Sequence, residues 1–142
     1  LLACALDYSP LSEKRQRKVL AIITQELLTP KGLRSLSPES PRYEGESVGN
    51  VFVRDKATFN GSVHPWFVGF YVEANLKLFG DTYIPDGKAF LENFEEEINT
   101  HGVGLISAIY DGNPPFNPRG CISNAKNVAE ILRAQWLLSD KK

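Results

Sequence analysis

Two loop stretches hold the side chains best suited to chemistry. The first, between Gly32 and Gly61, carries Arg34, Arg54, Asp55 and Asn60 and delivers the chain to His64-Pro65-Trp66. The second carries Asp111-Gly112-Asn113-Pro114-Pro115 and ends at Pro118-Arg119-Gly120. An imidazole such as His64 can move a proton near neutral pH, an indole such as Trp66 can offer a flat apolar face to a ligand, and guanidinium groups can hold ligand oxygens. Asp111 is a carboxylate, a group that can take a proton. Each has a plainer reading too. His64 before Pro65 could cap a helix, Trp66 could pack in the core, and Arg34, Arg54 and Asp55 could be surface charges. Asp111-Gly112 also makes an ordinary turn. His64 has only His101 as a companion, and Cys4 and Cys121 stand far apart in unrelated contexts. No metal-ligand set and no disulfide framework follows; two buried free thiols and no cofactor are expected.

These side chains need elements to position them. Ser9-Pro10 reads as a cap and first turn, and Val19, Leu20, Ile22, Ile23, Leu27 and Leu28 recur at helical spacing, which predicts a helix over 10–28 stopped by Thr29-Pro30-Lys31-Gly32. From 33 to 62 turn formers recur without a sustained period, so a mostly irregular and functional connection is expected. A helix over 64–79, ended by Gly80, is apolar around nearly its whole circumference and reads as enclosed. A third helix, 85–99, keeps Phe90, Leu91, Phe94 and Ile98 apart from Lys88, Glu92, Glu95 and Glu96, as an outer helix would. Ser123 caps a last helix over 123–138 that buries Val128, Ala129, Ile131, Leu132 and Trp136. No strand alternation rivals the helices. The expectation is an all-α fold of alternating inner and outer helices, with loops at one end building a concave site. A chain of 142 residues suffices for one domain, 1–142.

Lys and Arg number 16 against 17 Asp and Glu. The one basic run, Lys14-Arg15-Gln16-Arg17-Lys18, lies within a helical pattern, so neither nucleic acid nor an acidic membrane is indicated. Apolar stretches such as Trp66 to Val72 fall far short of the ~20 residues that span a bilayer. A soluble, cytoplasmic protein is expected. Leu1-Leu2-Ala3-Cys4-Ala5-Leu6 reads like the interior of a helix, which suggests further sequence upstream or processing.

Three motifs in order carry a resemblance. Leu28-Thr29-Pro30-Lys31-Gly32-Leu33-Arg34 is followed by Pro41-Arg42-Tyr43-Glu44-Gly45. Arg54-Asp55 is followed by Gly61-Ser62-Val63-His64-Pro65-Trp66. Gly104-Leu105-Ile106-Ser107-Ala108-Ile109-Tyr110-Asp111-Gly112 is followed by Pro118-Arg119-Gly120-Cys121. Together they resemble the C-terminal part of the glycogen debranching enzymes, the amylo-α-1,6-glucosidases. The resemblance implies part of an (α/α)6 toroid of helical hairpins, and hydrolysis of the α-1,6-linked glucose at a glycogen branch. It implies an α-glucan or oligosaccharide ligand, with binding roles for Arg34, Arg54, Asp55, Asn60, His64, Trp66 and Arg119. A partial toroid would leave the helix over 64–79 uncovered, so a homo-oligomer or a complex with further polypeptide is expected.

Such hydrolysis needs an acid to protonate the leaving oxygen and a base to activate water, ~6.5–9.5 Å apart in an inverting enzyme. The family's acid motif lies upstream of the region matched here, and nothing in these residues corresponds to it. Its base is the glutamate of a serine-glutamate-isoleucine sequence, which falls on Ser107-Ala108-Ile109. Ala108 cannot take a proton. The family's tyrosine-histidine-glutamine is Thr58-Phe59-Asn60, its first tryptophan is His64, and its alanine-glutamine-alanine-tryptophan is Ser123-Asn124-Ala125-Lys126. The expectation is therefore an inactive chain with no catalytic residue, Asp111 being a weak substitute. The alternative is a non-enzymatic helical interaction or glucan-binding module.

Overall fold

A computed structural model of the chain describes residues 1–139; the last three positions of the expected 1–142 domain lie outside the described residues. A short helix, α1 (Leu2–Ala5), precedes α2 (Glu13–Glu26). Helix α2 opens at Ser12 and not at Ser9, whose hydroxyl accepts from the Leu11 N–H at 3.1 Å and closes a turn before the helix. Its Leu20 and Ile23 are buried. A tight hairpin follows, β1 (Leu28–Thr29) and β2 (Gly32–Arg34), with the Thr29 hydroxyl donating to the Gly32 carbonyl at 2.9 Å. Gly32 sits at φ +123°, and a Cβ there would lie 2.9 Å from the His64 carbonyl oxygen, so the next strand can approach only a glycine.

The segment expected to be irregular contains helix α3 (Val51–Asn60). The Asn50 side chain opens it by accepting from the Val53 N–H at 3.1 Å. Strand β3 (Val63–His64) then leads into α4 (Phe67–Phe79). A 3-10 turn, Gly80–Tyr83, passes the chain to α5 (Ile84–Glu92) and α6 (Glu95–Thr100), two helices where one over 85–99 was expected. After β4 (Ile109–Tyr110) and β5 (Pro118–Arg119), α7 (Ala125–Leu138) is capped by Asn124, not Ser123; its side chain accepts from the N–H groups of Lys126 and Asn127.

The five short strands form one antiparallel sheet in the order β1-β2-β3-β4-β5. Leu33 pairs with His64, Arg34 with Val63, Val63 with Tyr110, and Ile109 with Arg119. With about half its residues helical and this sheet at its centre, the chain is mixed α/β. The expectation of an all-α toroid of helical hairpins is corrected. Strands of two or three residues between Gly and Pro are too short to show a period of two, and so read as loop.

Helix α4 is enclosed by the chain itself. Val68 and Val72 pack with Val63, Phe94, Ile106, Tyr110, Ile131, Ala134 and Leu138, while Tyr71 and Ala74 pack with Cys4, Ala5, Leu20, Ile23 and Leu33. Gly69 lets α7 come close, since a Cβ there would meet the Glu130 carboxylate and carbonyl. Arg133 of α7 fastens the two helices by pairing with Glu73 of α4 at 2.8 Å, and within its own helix it pairs with Glu130 at 2.8 Å. On α7 the expected burial is only partly met: Ile131 is buried, but Ala129, Leu132 and Trp136 face outward. Of the two thiols, Cys4 is buried and Cys121 is exposed, with its Sγ at 3.1 Å from the Ser123 carbonyl.

Candidate functional site

The sheet and the helices beside it leave a cleft of about 650 Å³. Its walls are apolar, from Leu27, Leu33, Phe59 and Phe67, and its polar lining comes from Arg34, Ser35, His64 and Lys126, with Trp66 at the start of α4. Three of the seven residues expected to bind ligand therefore converge: Arg34 from β2, His64 from β3, and Trp66. Phe59 and Lys126, two of the departures from the motifs of the resemblance, are part of the same cleft.

Each of these polar groups has a defined environment. Arg34 donates from Nε to the Gly112 carbonyl at 2.9 Å and from Nη1 to the Glu26 carbonyl at 3.2 Å, bracing the end of α2 against the second loop. His64 Nε2 lies 2.9 Å from the Thr58 carbonyl. A carbonyl only accepts, so Nε2 carries the proton. Burial pushes the His64 pKa down, and the charge of Lys126 adds to that against the opposing pull of the Thr58 carbonyl. The Trp66 ring is occupied on its own chain: Phe67 stacks with centroids 3.9 Å apart, and Lys126 Nζ lies 4.4 Å from its centroid.

Asp111 stands apart as a brace. It is 2 % exposed, and Arg119 Nε reaches both its oxygens at 3.0 Å while Nη2 reaches one at 2.7 Å. The Ser47 N–H adds a bond at 2.9 Å. Burial alone would raise the Asp111 pKa, but the hydrogen bonds from Arg119 and Ser47 with the Arg119 charge outweigh it, and the net shift is downward. A carboxylate held ionised in this way is a poor proton acceptor.

Around this pair three loops meet backbone to backbone. A Cβ on Gly112 would stand 2.4 Å from the Gly61 carbonyl oxygen and from the Tyr43 hydroxyl, and one on Gly61 would stand 2.3 Å from the Glu44 carbonyl oxygen. The Gly112 N–H donates to the Gly45 carbonyl at 2.7 Å. Ala108 precedes β4; its N–H donates to the Cys121 carbonyl at 2.9 Å and its carbonyl accepts from Asn127 Nδ2 at 3.0 Å.

The remaining expected residues do not reach the cleft. Arg54 and Asp55 are exposed on α3, and among the described residues neither has an ion-pair partner. The Asn60 side chain folds back onto the Lys56 carbonyl at 2.7 Å, and Arg119 is committed to Asp111. Conversely, the apolar wall of Leu27, Leu33 and Phe67 was not singled out from the sequence. Leu33 lies between the glycine and arginine of the first motif, the one signal that could have marked it. Among the described residues no group of three or more His, Cys, Asp or Glu could hold a metal ion, and no helix is long and apolar enough to cross a membrane.

The family described as amylo-alpha-1,6-glucosidase matches residues 1–133. The chain belongs to that family. No curated protein and no solved structure matches it. Membership makes it a glycogen debranching-related member of a glycoside hydrolase family. Among the described residues no Asp or Glu lines the cleft, and neither Ala108 nor Asp111 is part of its lining.

Proposed function

We propose that these residues form a debranching-family cleft that no longer hydrolyses α-1,6-glucosides. The observation that carries this reading is the lining, which among the described residues is arginine, lysine, histidine, serine and apolar side chains, without one carboxylate. General acid and general base each contribute ~10²–10⁴ in rate, so a site with neither retains little of a glycosidase's acceleration. Asp111, three residues beyond the base position Ala108, supports the same conclusion because its carboxylate is already held by Arg119 and Ser47. The test is the Ala108→Glu variant assayed on an α-1,6-linked glucoside. Restoring one carboxylate leaves the leaving oxygen unprotonated, so no glucose release is expected. Release by Ala108→Glu would mean that an acid is already present, and the reading would fall.

A second role is favoured by α3, which buries only Ala57 and exposes Val51, Phe52 and Phe59, the last two at 80 % and 75 %. Apolar side chains grouped on one outward helix suit contact with another polypeptide. The helix over 64–79, first expected to supply that surface, is covered within the chain. The reading is a homo-oligomer or a complex with further polypeptide through α3.

A further inference from the structure

The lining of the cleft also bears on what it would hold, an inference that rests on reading it as a binding site without hydrolysis. Arg34 and Lys126 have donors and no acceptor. Arg34 spends Nε and Nη1 on the Gly112 and Glu26 carbonyls, which leaves its charge without a carboxylate counterpart. Lys126 Nζ rests over the Trp66 ring. Among the described residues neither cation forms an ion pair. Ser35 Oγ, which could serve either way, already accepts from the Gly61 N–H at 2.9 Å. His64, with its proton on Nε2 given to the Thr58 carbonyl, adds one acceptor, Nδ1; the rest of the polar side is rich in donors and net positive, and the remaining lining is apolar.

A glucose unit fits that lining poorly. Each of its hydroxyls donates as well as accepts, and donors brought into a cleft with few acceptors lose the bonds they made to water. Lys126 moreover occupies ring surface of Trp66 on which a sugar would stack. An anionic head group only accepts hydrogen bonds and answers two uncompensated cations, while an aromatic or aliphatic body answers Leu27, Leu33, Phe59 and Phe67. We propose that the cleft binds a small amphipathic anion, an acceptor-only head group on an apolar body, in preference to a neutral sugar.

Isothermal titration of the protein with para-nitrophenyl sulfate, para-nitrophenyl α-glucoside and inorganic sulfate tests this, because the first two share their body and differ in the head. The sulfate ester is expected to bind at least about tenfold more tightly than the glucoside, the gain expected of charge-assisted bonds to the head group. Inorganic sulfate, which lacks the apolar body, is expected to bind more weakly than the ester. Lys126 is exposed, so Lys126→Gln should fold normally. It is expected to weaken the sulfate ester about fivefold without weakening the glucoside, a modest loss because solvent screens the charge. Lys126→Glu should weaken the ester further. Equal or tighter binding of the glucoside, inorganic sulfate as tight as the ester, or ester affinity unchanged in both Lys126 variants would overturn the proposal. Release of para-nitrophenol from the glucoside would instead overturn the non-hydrolytic reading, with the affinities deciding the anion preference independently.

Discussion

Replacing Asp111 with Asn keeps the outline of the side chain and removes its charge, which separates a structural brace from a proton acceptor. The carboxylate receives Arg119 Nε at 3.0 Å on both oxygens, Arg119 Nη2 at 2.7 Å and the Ser47 N–H at 2.9 Å. In Asp111→Asn the remaining carbonyl oxygen can still accept from Ser47, but the new NH2 faces guanidinium donors. Breaking a fully buried pair costs ~3–5 kcal/mol. Here Asp111 is buried but the Arg119 side chain is 32 % exposed and regains hydration, so the loss should be about 2–3 kcal/mol. For a chain of this length that lowers the melting temperature by roughly 6–12 °C. The sign of the pH dependence follows from the lowered pKa of Asp111. Its contribution is present above the unfolded carboxyl value of ~3.9 and is lost as pH falls through the lower folded value. Thermal unfolding followed by circular dichroism should therefore show the full gap between wild type and variant at neutral pH, closing below about pH 4. An unchanged melting temperature at neutral pH, or a gap that stays constant into acid, would refute the assignment of Asp111 as a brace.

Gly112→Ala forces a Cβ to within 2.4 Å of the Gly61 carbonyl oxygen and should destabilise the protein by about 1–3 kcal/mol or more, measured by urea unfolding. Proton NMR should find His64 titrating below the ordinary ~6.5, neutral at pH 7, and Lys126→Gln should move it upward by removing a nearby positive charge. Because the unfolded chain takes that proton first, His64 should cost stability as pH falls below ~6.5. If α3 is an interface, Phe52→Ser with Phe59→Ser should shift the protein to a smaller sedimenting species; identical sedimentation would remove α3 from that role.

Much of this was legible where burial imposes a pattern. Helix α4 shows apolar residues all round because it lies between two packed groups, and Leu20 with Ile23 marks the inner face of α2. Helix α3 buries only Ala57, so it has no stripe to see, and its cap, Asn50, beside Gly49 reads as a turn. The same helix keeps Arg54, Asp55 and Asn60 out of the cleft: a loop could have turned them inward, but the helix holds Arg54 and Asp55 outward and lets Asn60 bond its own turn. Arg34, His64, Trp66, Phe59 and Lys126 were named from motif positions, yet their convergence depends on a strand register of Leu33 with His64 that two- and three-residue strands do not announce. The Asp111–Arg119 pair likewise depends on the β4–β5 hairpin, which folds residue 119 back to within reach of residue 111.

The most direct test of the account is glucose release from a branched α-1,6-linked glucan by the 142-residue protein, run beside Asp111→Asn across acidic and neutral pH. With no carboxylate in the cleft among the described residues and Asp111 held by Arg119, wild type and variant should both match the protein-free blank at every pH. Release by the wild type above the protein-free blank would contradict the account, whatever the variant does.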